Sequence, residues 1–201
     1  MKKILPDKYQ EILNLMRQEI LADFRKDSCI ASTRILIDVM KEFDVRVRPL
    51  PVTAVIGNGP MARRVEKEGW PDNVETTIKW GEEDGSYCLG IGFGGDPEPG
   101  KFPGHLVGIT SHYLIDLSID QADRPQWNII VPPILRALEP GFVIGKSRLV
   151  CKGYDDNEEV TGFVVYDAQP WNTSYKSAPD WKLIDRTRPV TQRIIKRLRA
   201  L

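Results

Sequence analysis

The chain has 201 residues, of which 41% are hydrophobic and 28% charged, so it can bury one substantial core but is short for two full domains. Its 28 lysine and arginine residues balance 28 aspartate and glutamate residues, which excludes a strong overall attraction to nucleic acid or to an anionic membrane. We therefore predict a single domain over residues 1–201, with no nucleic-acid or membrane partner.

The N-terminus and the cysteines bear on the cellular compartment. Residues 1–7 lack the apolar run of a signal peptide, and no segment reaches the ~20 apolar residues that span a bilayer. Cys29, Cys88 and Cys151 form neither an even disulfide framework nor a closely spaced pair of metal ligands. These features predict a cytoplasmic protein with free thiols and no structural zinc. Because Cys88 and Cys151 lie within strand patterns, we expect both to be buried.

Two amphipathic helices are predicted at the start of the chain. Apolar residues recur at helical spacing over residues 9–25, and a second such pattern covers residues 29–43. Asp27 or Ser28 can cap the second helix, which places Cys29 in its first turn.

An extended segment follows the two helices. Residues 45–56 alternate well enough to form a strand, although two prolines favour an edge position for part of it, and Asn58-Gly59-Pro60 ends it. Next we expect a short helix over residues 61–68 and a polar loop that carries Trp70 and Trp80.

The second half of the chain is rich in predicted strands. Thr110-Ser111-His112 is short enough to link two of them as an antiparallel hairpin. The predicted strands cover residues 87–93, 105–109, 113–119, 145–154 and 160–167. An amphipathic helix with Pro189 in its first turn closes the chain. Helices first and strands afterwards predict an α+β fold, with N-terminal helices packed on an antiparallel sheet and a C-terminal amphipathic helix.

Three residues in this arrangement have the chemistry of a nucleophilic site. Cys29 lies at a helix start, where exposed backbone amides favour the thiolate, the attacking form of cysteine. His105 begins one strand of the predicted hairpin and Asp116 lies on the other, so the carboxylate can orient the imidazole and stabilise its charged form. This order predicts a nucleophile, a base and an orienting carboxylate.

The sequence around these residues resembles a known superfamily. His-Leu-Val-Gly-Ile from His105, followed by Tyr-Leu-Ile-Asp-Leu-Ser around Asp116, is similar to the papain-like cysteine superfamily in its transglutaminase-like and arylamine N-acetyltransferase-like branch. The resemblance implies a helix that begins at Cys29 and packs on an antiparallel sheet. It also implies that Cys29 is the nucleophile, His105 the general base and acid, and Asp116 its partner.

The resemblance covers roughly residues 27–121 as an order of elements, with one clear departure. The cysteine context, Asp-Ser-Cys-Ile-Ala-Ser, lacks the tryptophan common after a transglutaminase cysteine. It also lacks the arginine- and glycine-rich lead-in usual in arylamine acetyltransferases. These departures leave the substrate open.

Other interpretations of single residues remain. Cys29 falls on the apolar stripe of its helix and could be an ordinary core cysteine. Asn58 and Gln121 are candidate second donors for an oxyanion hole, beside the backbone N–H of Cys29. Trp80 and Trp127 could line either an acyl pocket or a core.

We therefore expect a thiol hydrolase or acyltransferase for a small-molecule or peptide acyl substrate, with no metal, organic cofactor or prosthetic group. One alternative is an acyl-CoA-dependent N-acyltransferase. Another, from a different class, is a catalytically silent papain-like interaction module of the kind that a phage or mobile element could encode. The accessibility of the Cys29 sulfur and its proximity to His105 separate an enzyme from such a module.

Overall fold

The computed structural model describes residues 6–94 and 102–201, and within these ranges helices pack against one antiparallel sheet of seven strands. The helices are α1 (Pro6–Leu21), α2 (Cys29–Lys41), α3 (Gly59–Glu68), α4 (Val74–Asp84), α5 (Pro179–Lys182) and α6 (Ile184–Arg199). The strands are β1 (Arg48–Asn58), β2 (Cys88–Ile91), β3 (His105–Ile109), β4 (Tyr113–Asp116), β5 (Ile134–Ala137), β6 (Leu149–Tyr154) and β7 (Val160–Ala168). Short 3-10 helices cover Ile119–Ala122, Pro125–Trp127 and Ser174–Ser177. This architecture confirms the predicted α+β class, with its N-terminal helices, antiparallel sheet and C-terminal helix.

The long strand β1 is the centre of the sheet. The strand order is β5-β4-β3-β1-β7-β6, and β2 also pairs with β1. The first half of β1 pairs with β3 and its second half with β2, while β7 pairs along the opposite side. The sheet is nearly closed, so strands far apart in this order face each other across its interior.

The two prolines of β1 lie where their missing N–H groups do not interrupt the pairing with β3. Pro49 and Pro51 belong to the part of the strand that pairs with β3, and pairing with β7 begins only at Val52. The Pro51 carbonyl accepts from the Gln169 N–H, so its nitrogen also points away from β3. The beginning of β1, which contains the prolines, therefore pairs with a strand on one edge only. The rest of β1 pairs with strands on both edges.

The polar loop predicted around Trp80 is wrong, because residues 74–84 form helix α4. The Asn73 side chain accepts from the Thr76 N–H at 2.8 Å and caps the helix start. Gly85, in the left-handed region at φ 73°, ends the helix. Asn73 and Gly85 are thus ordinary start and stop signals of a helix. The prediction missed them because the segment between them is mostly polar.

Other element boundaries also differ from the predictions, and one strand was missed. Helix α6 begins at Ile184, so Pro189 lies inside it rather than in its first turn. The buried Thr187 donates to the Ile184 carbonyl at 3.2 Å and supports the turn before the proline. The strand expected over residues 113–119 ends at Asp116, and β5 was not predicted at all.

Apolar clusters cover both faces of the sheet. One lies inside the curved sheet and is contributed mainly by β1, β3, β4, β6 and β7, a second lies between the sheet and helices α1, α2 and α6, and a third joins α3 and α4 to β1 and β7. The second cluster includes Met16, Ile20, Ile35, Leu36, Val39, Ile115, Val190 and Ile194. In the described ranges, no helix has both the length and the hydrophobicity needed to cross a membrane.

Candidate active site

Cys29 is the first residue of α2, as the sequence predicts. Ser28 occupies the N-cap position, but no side chain caps the helix there, so the predicted capping by Asp27 or Ser28 is wrong. The first turn is held instead by the backbone hydrogen bond from Ser32 N–H to the Ser28 carbonyl, at 2.9 Å. The uncapped amides favour negative charge near the Cys29 sulfur.

Helix α2 is held close to strand β3. The Thr33 hydroxyl donates to the Leu106 carbonyl at 2.8 Å. Gly108 permits the close approach, because a Cβ there would lie 2.6 Å from Cδ2 of Leu36. Cys29 packs on Leu106, the residue after His105, so the helix start lies beside the strand start.

His105 and Asp116 form a buried pair. In the register of β3 and β4, Gly108 lies opposite Ile115, which makes His105 and Asp116 diagonal neighbours on one face. Nε2 of His105 is 2.7 Å from Oδ2 of Asp116, and each side chain is at most 1% exposed. The predicted hairpin is confirmed, and it brings these two predicted residues together.

The other nitrogen of His105 faces Gln121. Nε2 of Gln121 lies 2.7 Å from Nδ1 of the imidazole. Cys29 is close enough to the ring to contribute to the raised pKa of His105. The structure therefore brings all three predicted residues, Cys29, His105 and Asp116, together at one site.

His105 is charged at neutral pH. Burial disfavours the imidazolium, but the charge of Asp116 and its hydrogen bond, with smaller contributions from Cys29, raise the pKa of His105 from 6.5 to about 10. An imidazolium next to a cysteine favours the thiolate over the thiol.

Asp116 has two further hydrogen-bond partners. The Tyr166 hydroxyl donates to Oδ2 at 3.0 Å, and the Ser118 N–H donates to Oδ1 at 2.9 Å. Burial, followed by the nearby charge of Asp116, raises the pKa of Tyr166 well above its ordinary value, so the phenol remains a donor. No local sequence pattern indicates Tyr166, because its contact with Asp116 depends on the curvature of the nearly closed sheet.

Arg17 is a second residue that sequence reasoning missed. It lies in α1 with 3% exposure and forms a salt bridge to Asp120, with Nη2 2.7 Å from Oδ1. It also donates to the Ser32 hydroxyl at 3.1 Å and to the Lys26 carbonyl at 2.8 Å. One guanidinium thus joins α1, the chain before Cys29, the start of α2 and the 3-10 helix that carries Gln121.

Aromatic rings pack around Cys29, whose exposed fraction is 8%. The cysteine contacts a cluster that contains Tyr175, with Phe102 and Trp181 against it. Tyr175 makes edge-to-face contacts with both rings, at centroid distances of 5.9 Å to Phe102 and 4.8 Å to Trp181. Apart from His105, the residues described around Cys29 are therefore mainly aromatic and aliphatic.

Asn58 is excluded as an oxyanion donor. Its amide donates to the Gly85 and Trp127 carbonyls, both at 2.8 Å. Its carbonyl oxygen accepts from the Met61 and Tyr87 N–H groups, both at 3.1 Å, and so caps α3. Both amide hydrogens are committed to the fold, so the hypothesis that Asn58 stabilises an oxyanion is wrong.

The two candidate pocket tryptophans have structural contacts away from Cys29. Trp80 packs in a separate apolar cluster with the Arg64 guanidinium 4.9 Å from its ring centre. Trp127 stacks on Tyr87 with 5.2 Å between ring centroids. Of the two interpretations that the sequence left open, these contacts favour packing.

The other two cysteines lack the surroundings of Cys29. Cys88 and Cys151 lie within strands and are half-buried. Burial raises the pKa of the Cys88 thiol, and burial as the largest cause raises the pKa of Cys151 to about 12. Both stay protonated at neutral pH.

The fold and the site define an α+β protein with a buried cluster of cysteine, histidine and aspartate. Across residues 6–94 and 102–201, no group of three or more His, Cys, Asp and Glu side chains is arranged to hold a metal ion. Comparison of the chain with protein-family models, with curated proteins and with solved structures found no match.

Proposed function

We propose that the protein is a cysteine-dependent enzyme of acyl transfer or of amide and thioester hydrolysis. The observation that supports this most directly is the buried pair of His105 and Asp116, with Nε2 2.7 Å from Oδ2, beside Cys29 at the start of α2. An imidazole arranged in this way can hold a thiolate, give a proton to a leaving group and take one from an acceptor. The proposal agrees with the sequence resemblance to papain-like cysteine enzymes.

The acylation step uses the charged pair. The Cys29 thiolate attacks the carbonyl carbon of the donor, and the carbonyl electron pair moves onto oxygen to form a tetrahedral oxyanion. As this intermediate collapses, the Nδ1 proton of His105 passes to the leaving amine, alcohol or thiolate. A thioester on Cys29 and a neutral imidazole remain, and Asp116 keeps the ring oriented through Nε2.

The second step regenerates the thiolate. Neutral His105 takes a proton from the acceptor, which attacks the thioester carbon, and the bond to sulfur breaks as the product leaves. Water as the acceptor gives a hydrolase, and an amine gives a transferase. The cycle needs no redox co-reactant, because no atom changes its oxidation state.

The surroundings of Cys29 favour a particular donor. Phe102, Tyr175 and Trp181 provide apolar surface near the sulfur, which suits an apolar group next to the reacting carbonyl. The donor is a small-molecule or peptide acyl compound, and an acyl-CoA thioester is one form of it. In this proposal the protein works in the cytoplasm, where its thiols remain reduced.

A catalytically silent module is the second candidate. The 8% exposure of Cys29 favours it, because a nucleophile must be reached by its substrate. In that case the aromatic cluster is a permanent part of the core. The enzyme requires the same cluster to open or to be displaced by the acyl group.

The test offers the protein a panel of p-nitrophenyl esters, acyl-CoA thioesters and glutamine-containing peptides and follows its intact mass. We expect a mass increment that matches the donor, located on Cys29 and missing in Cys29→Ala. Faster release by amines than by water would identify a transferase. If none of the donors forms an adduct, the silent module becomes the better account.

A further inference from the structure

The amide of Gln121 lies against Nδ1 of His105, the ring nitrogen that does not contact Asp116. The 2.7 Å contact at Nδ1 equals the distance from Nε2 to Asp116 on the other side of the ring. A half-turn of the amide exchanges its oxygen and its NH₂ group at this position. Gln121 can therefore accept from an Nδ1–H group or donate to an Nδ1 lone pair.

We propose that Gln121 is a positioning residue whose carbonyl oxygen accepts a hydrogen bond from Nδ1–H of the His105 imidazolium in the resting protein, before that proton passes to the leaving group, and so orients the ring opposite Asp116. This inference rests on the proposed function, in which that ring is the acid and base. It gives Gln121 a different role from the oxyanion donor that the sequence suggested.

The charge of the ring decides which end of the amide faces it. The buried carboxylate of Asp116 favours an imidazolium, and an imidazolium carries a hydrogen on each nitrogen. An NH₂ group at 2.7 Å would place two donors face to face. The amide oxygen at the same place instead forms a charge-assisted hydrogen bond, which is the stronger kind.

The segment that leads to Gln121 is held by two sets of contacts. The Gln121 N–H donates to the Ser118 carbonyl at 3.2 Å, and the Ser118 N–H donates to Asp116. Asp120, the residue before Gln121, is held by Arg17 through the buried salt bridge. The amide is thus presented to the imidazole from a rigid position, as a positioning residue requires.

The ionisable groups around the imidazole come from few elements. Asp116 of β4 and Cys29 of α2 act on the ring directly, and Tyr166 of β7 acts through Asp116. The charge of Asp120 is balanced by Arg17. Besides Gln121, only the Asp116 carboxylate and the Cys29 sulfur among these groups therefore act directly on the pKa of His105.

The experiment follows the protonation of both histidines by NMR in the wild type, Gln121→Leu, Gln121→Met and Gln121→Glu. His112, the only other histidine, is an exposed internal reference. We expect the leucine and methionine variants to lose the His105 proton at a pH lower by about half a unit or more, because an acceptor is gone. Glutamate keeps an acceptor and should hold the proton to a higher pH than the wild type.

The sign of the shift decides the outcome. If Gln121 donates to the ring, leucine and methionine must raise the pH at which His105 loses its proton, and a shift in that direction or no shift overturns the inference. Two apolar variants are used so that the result does not depend on one of them folding, and Gln192→Leu on the exposed face of α6 is the matched control. Failure of the proposed function would appear separately, as a wild-type protein that forms no acyl adduct on Cys29.

Discussion

At the scale of single residues, one imidazole connects a carboxylate to a sulfur. Asp116 accepts from His105 Nε2, from the Tyr166 hydroxyl and from a backbone N–H. These three hydrogen bonds fix the position of its carboxylate beside the imidazole. That charge keeps His105 protonated despite almost complete burial. The reactivity of Cys29 is therefore expected to depend on two residues that do not themselves attack the substrate.

Cys29 should be the thiol that iodoacetamide labels fastest in the folded protein. Cys29 lies at a helix start beside His105, whereas burial raises the pKa of Cys88 and Cys151. At pH 6.5 we expect Cys29 to react at least about tenfold faster than either of the others. Site-resolved mass spectrometry across pH 5 to 8 measures these rates, with urea-unfolded protein as the control. Equal or slower labelling of Cys29 would count against a nucleophilic role.

His105→Ala and Asp116→Asn should each slow the labelling of Cys29 by about tenfold or more, because both remove the charged ring from beside the sulfur. Breaking a buried pair also costs about 3–5 kcal/mol of stability, so thermal unfolding must be measured on the same samples.

Tyr166→Phe is the matched control for these two variants. It removes one hydrogen bond to Asp116 but leaves the pair with His105 intact, at a cost of about 1–3 kcal/mol. Its labelling rate should stay within about threefold of the wild type, an order-of-magnitude allowance for the altered hydrogen bonding. Unchanged labelling in folded His105→Ala and Asp116→Asn would rule out the triad even if Cys29 proved reactive.

At the scale of the elements, the site is an assembly of pieces that are distant in the chain. Helix α2 supplies Cys29, the β3–β4 hairpin supplies His105 and Asp116, and the 3-10 helix after β4 supplies Gln121. Arg17 of α1 joins two of these pieces, α2 and the 3-10 helix, and also holds the chain before α2 through the Lys26 carbonyl. The relative placement of the pieces thus depends on a buried charge outside the site.

Arg17→Met should lower the free energy of unfolding by about 3 kcal/mol or more, because it leaves Asp120 buried without a counter-charge. Chemical denaturation measures the change. Arg148→Met, which breaks an exposed salt bridge to Asp167, is the matched control and should cost less than about 1 kcal/mol.

A second substitution tests the cause assigned to Arg17→Met. Adding Asp120→Asn removes the stranded charge, so the double variant should recover part of the lost stability. If the double variant is instead less stable by the sum of the two single effects, the salt bridge is not the reason for the cost.

At the scale of the whole molecule, the free energy of unfolding should depend on pH through the protonation of His105. The folded protein holds this proton up to a pKa of about 10, whereas the unfolded chain releases it near 6.5. The resulting stabilisation is fully present below pH 6.5 and is lost as the pH rises towards 10. In Cys29→Ser, where sulfur cannot contribute, the free energy of unfolding should fall by up to about 1.4 kcal/mol per pH unit between pH 7 and 8.5.

The wild type should show a flatter dependence over the same range. If the extra proton on His105 is matched by the proton lost from Cys29, the folded and unfolded states bind equal numbers of protons and the slope vanishes. Urea denaturation at pH 7.0, 7.75 and 8.5 gives both slopes, and contributions from other groups cancel in their difference. Identical slopes would mean that Cys29 stays a thiol, as in the silent module.

Local sequence patterns determined much of the fold and the order of the site. The spacing of apolar residues predicted α2 with Cys29 at its start, and the short link after Ile109 predicted the hairpin. The diagonal placement of His105 and Asp116 follows from that hairpin, because their separation along the chain puts both on one face. These features depend on neighbours within a few residues or across one turn, so a single sequence contains them.

Only the tertiary structure decided the contacts that cross the molecule. Tyr166 reaches Asp116 because the sheet curves until β7 faces β4, and Arg17 reaches Asp120 because α1 packs beside the sheet. Gln121 contacts Nδ1 of His105, and the Asn58 amide donates both of its hydrogens to backbone carbonyls. Both arrangements depend on where the folded chain places these residues. Such contacts join residues that are far apart in the chain, and no local pattern encodes the strand order and curvature that place them together.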